Sequence, residues 1–156
     1  MLGQTEILKY EFESIRQDLI EKHLQLGMKA SGQWIDSLKV DVNRLSAVIY
    51  GQPYTEQLVN GRAPGKFPPI DEIRQWIVDK NITPFGKISI SSLAFLIARK
   101  IAKDGTKYFQ QGGTELVESV ITPERIQIII DKTTEFYINS FVSEITGIFK
   151  EFKAVA

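Results

Sequence analysis

Cysteine is absent from this chain, and histidine occurs once, at His23. The first absence excludes disulfides, thiol nucleophiles and thiolate-bound structural zinc, and it fits a reducing compartment. The second leaves no Ser-His-acid or Cys-His system to assemble, because the one imidazole falls inside a helical stripe. A surplus of either charge is missing as well. Nineteen Lys+Arg balance 19 Asp+Glu, which argues against a broad electrostatic grip on duplex nucleic acid, whose affinity comes mainly from neutralised phosphates. No apolar run approaches the ~18 residues that suggest a membrane span. The opening residues 1–6 lack the basic and apolar regions of a signal peptide. The expectation is a protein made in the cytoplasm. Its 156 residues suit one domain, 1–156, able to bury about two-thirds of its unfolded surface without metal or cofactor.

What is present is mostly helical periodicity. Leu8, Phe12, Ile15, Leu19, His23 and Leu26 recur at three- and four-residue steps, predicting an amphipathic helix over 5–27 that ends at Gly27. The charged residues, Glu11 among them, are read as its solvent side. His23 is read as a partly buried helix residue. From Trp34 to Asn43 the period changes to two, with Trp34, Leu38, Val40 and Val42 facing inward. Leu45 to Tyr50 follows as a second strand, with a hairpin turn at Asn43-Arg44.

Residues 61–69 hold three of the six prolines and two glycines, so no helix or strand is expected there. Pro69 can open a helix from Ile70 to Lys80, with Ile70, Ile73, Trp76 and Ile77 inward and Asn81 capping its end. Ser89 or Ser91 can cap a further helix to Asp104, burying Leu93, Leu96, Ile97 and Ile101 and ending at Gly105. Residues 106–122 admit a short strand or a loop. Thr122-Pro123-Glu124 then starts a long helix to about Phe152, with Ile126, Ile130, Tyr137, Phe141, Ile145, Ile148 and Phe152 on one side. At ~45 Å, it must bend over the sheet or project toward another subunit.

Carboxylates are plentiful, yet none forms an acid/base motif, so no enzymatic site is expected. Gly61-Arg62-Ala63-Pro64-Gly65-Lys66 is no phosphate loop: the Gly-x-x-x-x-Gly-Lys-Ser/Thr pattern is absent and proline removes amide donors. Arg62, Pro64, Lys66 and Phe67 are instead candidate partner contacts, a wrap around the chain's own domain being the other reading. Arg99, Lys100, Lys103 and Lys107 recur at helical spacing as a candidate DNA-facing stripe, or a solvated face.

Three blocks, spanning 31–107, together resemble one family. Ser31-Gly32-Gln33-Trp34-Ile35-Asp36-Ser37-Leu38-Lys39-Val40 is similar to the opening strand of bacteriophage tail-completion (neck, head–tail joining) proteins. Tyr54 to Pro69 resembles their Gly-Arg-x-Pro-Gly-Lys-x-Pro-Pro segment, leading into an Ile-x-x-Trp helix, here Ile70 to Ile77. Leu93 to Lys107 resembles the Ala-Arg-Lys-Ile helix that follows. The resemblance implies an α+β fold: a small antiparallel sheet packed by helices, here a core at 31–107 with helical extensions at 5–27 and 123–152. It implies a non-enzymatic virion protein that forms a homo-oligomeric ring between the portal or adaptor and other neck or tail proteins. Such a ring lines the DNA exit channel, touches packaged DNA non-specifically and binds no cofactor or membrane. The rival class is a cellular helical adaptor or DNA-associated module.

Overall fold

A computed structural model describes residues 3–155, and side chains up to residue 151. Seven helices and one hairpin make up the described part: α1 (Gln4–Gln25), α2 (Gln33–Ser37), β1 (Lys39–Val42), β2 (Ala47–Tyr50), α3 (Thr55–Asn60), α4 (Ile70–Asp79), α5 (Ile90–Asp104), α6 (Lys107–Gln110) and α7 (Pro123–Val155). The class is α+β, mostly helical with a small antiparallel sheet. Among the described residues, no helix is long and apolar enough to cross a membrane.

Helix α1 turns the apolar stripe read from the sequence into the main core. Its Leu8, Ile15 and Leu19 pack with Met28, Trp34, Leu38, Leu116, Val120 and Ile129. It stops where the glycine demands: Gly27 takes φ +65°, and the Met28 N–H donates to the His23 carbonyl at 3.1 Å. Glu11 departs from its expected solvent role. It is buried and ion-paired with Lys132 of α7, a pairing that offsets the desolvation of an otherwise costly carboxylate.

The hairpin pairs Lys39 with Tyr50, Val40 with Ile49, Asp41 with Val48 and Val42 with Ala47. Val40, Val42, Ala47 and Ile49 are its covered residues, set against α1 by the period-two alternation. At the turn, the Asn43 N–H donates to the Ser46 carbonyl at 2.9 Å, and Asn43 Oδ1 accepts from Ser46 Oγ at 2.9 Å. Leu45, expected to begin the second strand, lies in the turn and is exposed.

The expected strand over Trp34–Asn43 is corrected. Residues 33–37 are helix α2, and only Lys39–Val42 is strand. Trp34 and Leu38 are both buried as expected, but a four-residue spacing satisfies a helix and a strand face equally, so periodicity could not separate them. Trp34 closes the core. Its ring stacks on His23 with centroids 4.5 Å apart and planes 15° from parallel. Its Nε1–H donates to Thr55 Oγ1 at 2.8 Å, and that hydroxyl donates to the Gln52 carbonyl at 2.6 Å.

His23 is only 2 % exposed, and its Nδ1 has no hydrogen-bond partner among the described residues. Burial, reinforced by the nearby Lys80 charge, holds its pKa below the usual 6.5. The unfolded chain therefore binds a proton that the folded chain refuses. Stability contributed by neutral His23 is present above pH 6.5 and declines as pH falls from there toward the lowered folded pKa. The slope is at most about 1.4 kcal/mol per pH unit. His23→Phe keeps a ring against Trp34 and is expected to flatten this limb in melting curves between pH 7 and 5. An unchanged pH dependence in that variant would rule out His23 as its source.

Helices α4 and α5 form a second packing unit. Ile77, Ala94 and Ala98 are all fully buried, the two alanines being small enough to let a facing helix approach closely. Ser89 caps α5, its Oγ accepting from the Ser92 N–H at 3.1 Å, and Gly105 ends it. Asn81 ends α4 with φ +54°, while the Ile82 N–H donates to the Ile77 carbonyl at 3.0 Å. Two expected core residues here are corrected: Trp76 is 41 % exposed and Leu96 is 51 % exposed. The seam runs through the small residues of α5 rather than its largest ones, turning Leu96 outward. Residues 106–122, open from sequence, hold α6 followed by irregular turns that place Leu116 and Val120 in the core.

Helix α7 begins as expected, with Thr122 Oγ1 accepting from the Arg125 N–H at 3.2 Å. It then runs antiparallel to α1. Arg125 meets Asp18 at 2.7 Å and Ser14 at 3.0 Å, Lys132 meets Glu11, and Tyr137 donates to Gln4. Gln4 is the first residue of α1. Farther along α7, every described side chain from 141 to 151 is exposed.

Candidate functional site

Two surfaces stand out once the fold is laid down. The first is the far half of α7. The 33-residue helix is about 50 Å long, and every described side chain from 141 to 151 is exposed. Ile126, Ile130, Tyr137, Phe141, Ile145 and Ile148, expected on one side, are between 37 and 64 % exposed. Phe152, the last of that set, lies outside the described side chains. Past Tyr137, Ile138, Phe141, Val142, Ile145, Ile148 and Phe149 recur at three- and four-residue steps, giving one continuous apolar stripe. At 100° per residue, Glu144 borders one edge of that stripe, with Glu151 farther round the same flank and Lys150 on the other flank. Gly147 also falls behind the stripe, so its missing side chain leaves no gap in the apolar face.

The second is a cleft of about 770 Å³ between α3, α4, α5 and α6, within the usual range for a binding pocket. Its walls include Leu58, Ile73, Trp76, Ile97, Ile101 and Tyr108, and Met28 reaches it from the end of α1. Trp76 is thus a wall of an open groove, not a filler of the core. Four cations, Arg62, Lys80, Lys100 and Lys107, line the same cleft against one carboxylate, Glu72. Among the described residues, none of these cations is ion-paired. Lys80 Nζ donates to the Gly27 carbonyl, tying α4 to the end of α1. Burial raises the phenols of Tyr54 and Tyr108, which also line the cleft, so both stay protonated at neutral pH.

The structure divides the residues singled out from the sequence. The 61–69 segment is fastened to its own domain by backbone bonds. The Thr106 N–H donates to the Arg62 carbonyl at 2.9 Å, and the Gly65 N–H to the Ala102 carbonyl at 2.8 Å. The Arg62 N–H donates to Thr106 Oγ1 at 2.9 Å. Gly61 makes this approach feasible: it has φ +74°, and a Cβ there would fall 2.1 Å from the Phe109 nitrogen. The Arg62 guanidinium donates to the Lys66 carbonyl at 3.2 Å rather than standing free. Phe67 lies against Phe95, centroids 5.7 Å apart, yet it, Pro64 and Lys66 remain exposed. A wrapped backbone therefore presents outward side chains.

The basic stripe splits in a similar way. Lys100 and Lys107 border the cleft. Arg99 and Lys103, one turn apart on α5, are exposed outside its lining. The cleft itself was missed from sequence, since five separate segments build it. Its one legible trace is Trp76 and Lys80, four residues apart on α4. No group of three or more His, Asp or Glu residues suited to a metal ion occurs among the described residues. Comparison with known proteins finds no matching family model, no matching curated protein and no matching solved structure.

Proposed function

We propose that this chain is a self-assembling structural protein, a ring subunit of a bacteriophage neck or tail that joins the portal to the tail around the DNA exit channel. The observation that carries the assembly reading is the uncovered apolar stripe of α7. A helix of under ~12–15 residues without tertiary contacts is marginal in water, and most helical stability in proteins comes from packing an amphipathic face. The far segment is only slightly longer, is rich in β-branched and aromatic residues, and contains Gly147, all unfavourable to a solvated helix. A partner that covers the stripe supplies what its own sequence does not.

The neck assignment rests on the resemblance across 31–107. Arg99 and Lys103 would face packaged DNA as point contacts to phosphate, which a ring can multiply around a channel despite a neutral subunit. Arg62, Pro64, Lys66 and Phe67 would meet the portal, adaptor or another neck protein. In this reading the protein is non-enzymatic and resides in the virion after synthesis in the host cytoplasm. Mass spectrometry of purified virions, with electron microscopy of the purified chain, tests it. Detection at ring-like copy number supports the reading, and absence from the particle overturns it.

A further inference from the structure

Resting on the self-assembly reading just given, we infer that subunits join head to tail, the far segment of α7 from one copy lying in the basic cleft of the next. Three observations converge on this pairing. The first is placement. The α7 stripe leaves the molecule past Gln4, at the start of α1. Met28 and Lys80, at the other end of α1, line or border the cleft. The 22 residues of α1 separate those ends by about 30 Å. A straight α7 that points away from its own cleft cannot fill it, whereas a second copy's can.

The second observation is apolar match. The cleft offers Trp76 and the Ile97/Ile101 side of α5, and the stripe offers Phe141, Ile145 and Ile148. An amphipathic helix in an apolar groove is a recurring mode of recognition, read through anchors at three- and four-residue spacing. The third is charge. Lys80, Lys100 and Lys107 at the cleft face the flank of the stripe that carries Glu144 and, farther round, Glu151, with Lys150 on the other flank. Unlike charges at the border of an apolar contact set register and suppress the wrong pairing.

Such a contact joins two different surfaces, so it repeats from copy to copy until the rotation closes a ring. It differs from a coiled coil of α7 helices, in which the stripe would pair with itself and the cleft would stay empty.

The test uses the full chain and charge reversal. Lys100→Glu with Lys107→Glu alters the cleft alone, and Glu144→Lys with Glu151→Lys alters the helix alone. Each double variant is expected to weaken self-association about tenfold or more in sedimentation velocity. An equimolar mixture of the two restores it, because each variant's helix then meets a cleft of opposite charge. Circular dichroism melting reports that both remain folded, since these side chains hold no ion pair among the described residues.

If the cleft variant assembles as well as the wild type, α7 pairs elsewhere: head-to-tail docking is overturned while self-assembly stands. Weakening in both variants without rescue in the mixture also overturns the docking. A wild-type chain that stays monomeric across the concentration range overturns self-assembly, and the docking with it.

Discussion

Trp34→Ala is expected to lose about 3–5 kcal/mol of unfolding free energy, the range for emptying a large aromatic site. Trp34 is 3 % exposed, stacks on His23 and reaches Thr55 through its indole N–H. One ring therefore ties the end of α1, the approach to the hairpin and the start of α3. Its removal opens a cavity and leaves the Thr55 hydroxyl without that donor. Against a typical total of about 5–15 kcal/mol, this is a large fraction, and the melting temperature should fall by roughly 10 °C. Urea denaturation of wild type and variant measures the difference directly. Trp76→Ala is the internal contrast: the sequence places Trp76 inward too, but as an exposed cleft wall it should cost less than half as much while weakening assembly. Equal losses from the two tryptophans would place Trp76 back in the core.

Phe141→Asp combined with Ile148→Asp is expected to abolish self-association while leaving the melting of the monomer unchanged. These positions are 64 % and 49 % exposed and fall on the α7 stripe beyond the Tyr137 hydrogen bond to Gln4 of α1. Covering one large apolar side chain is worth about 1.5–3 kcal/mol. Losing two corresponds to roughly 10²–10⁴-fold in the dissociation constant, before the cost of burying carboxylates is added. Size-exclusion chromatography with light scattering gives the mass, and circular dichroism gives the melting. A variant that stays assembled would show that the stripe is not the contact. A variant that unfolds would show that α7 supports its own domain past Tyr137.

Local signals were the most legible part of this fold. Thr122-Pro123, Ser89, Gly105, Gly27 and Asn81 end or begin helices as their side chains and allowed φ values predict, because caps depend on neighbours a few residues away. Face assignments fared less well. Trp34 and Leu38 were correctly read as buried, but Trp34 was given the wrong conformation, since positions four apart suit both periods. Leu96 and Trp76 were assigned inward by size and stripe, whereas α4 and α5 meet through Ile77, Ala94 and Ala98. A hydrophobic stripe says that a face wants covering; it does not say whether the same chain covers it. Helix α7 illustrates this at full scale, and Glu11 illustrates the converse, a charge drawn inward by a lysine 121 residues away. The cleft was illegible for a different reason: its basic rim comes from Arg62, Lys80, Lys100 and Lys107, whose meeting depends on tertiary structure alone.

Sedimentation velocity of the purified full chain, from sub-micromolar to tens of micromolar and beside a chain ending at residue 137, tests self-assembly through α7 most directly. The full chain should move from monomer to a closed, larger species as concentration rises. The shortened chain should remain monomeric at every concentration with an unaltered core melting. A full chain that sediments as a monomer throughout, or a shortened chain that assembles equally well, would contradict the account.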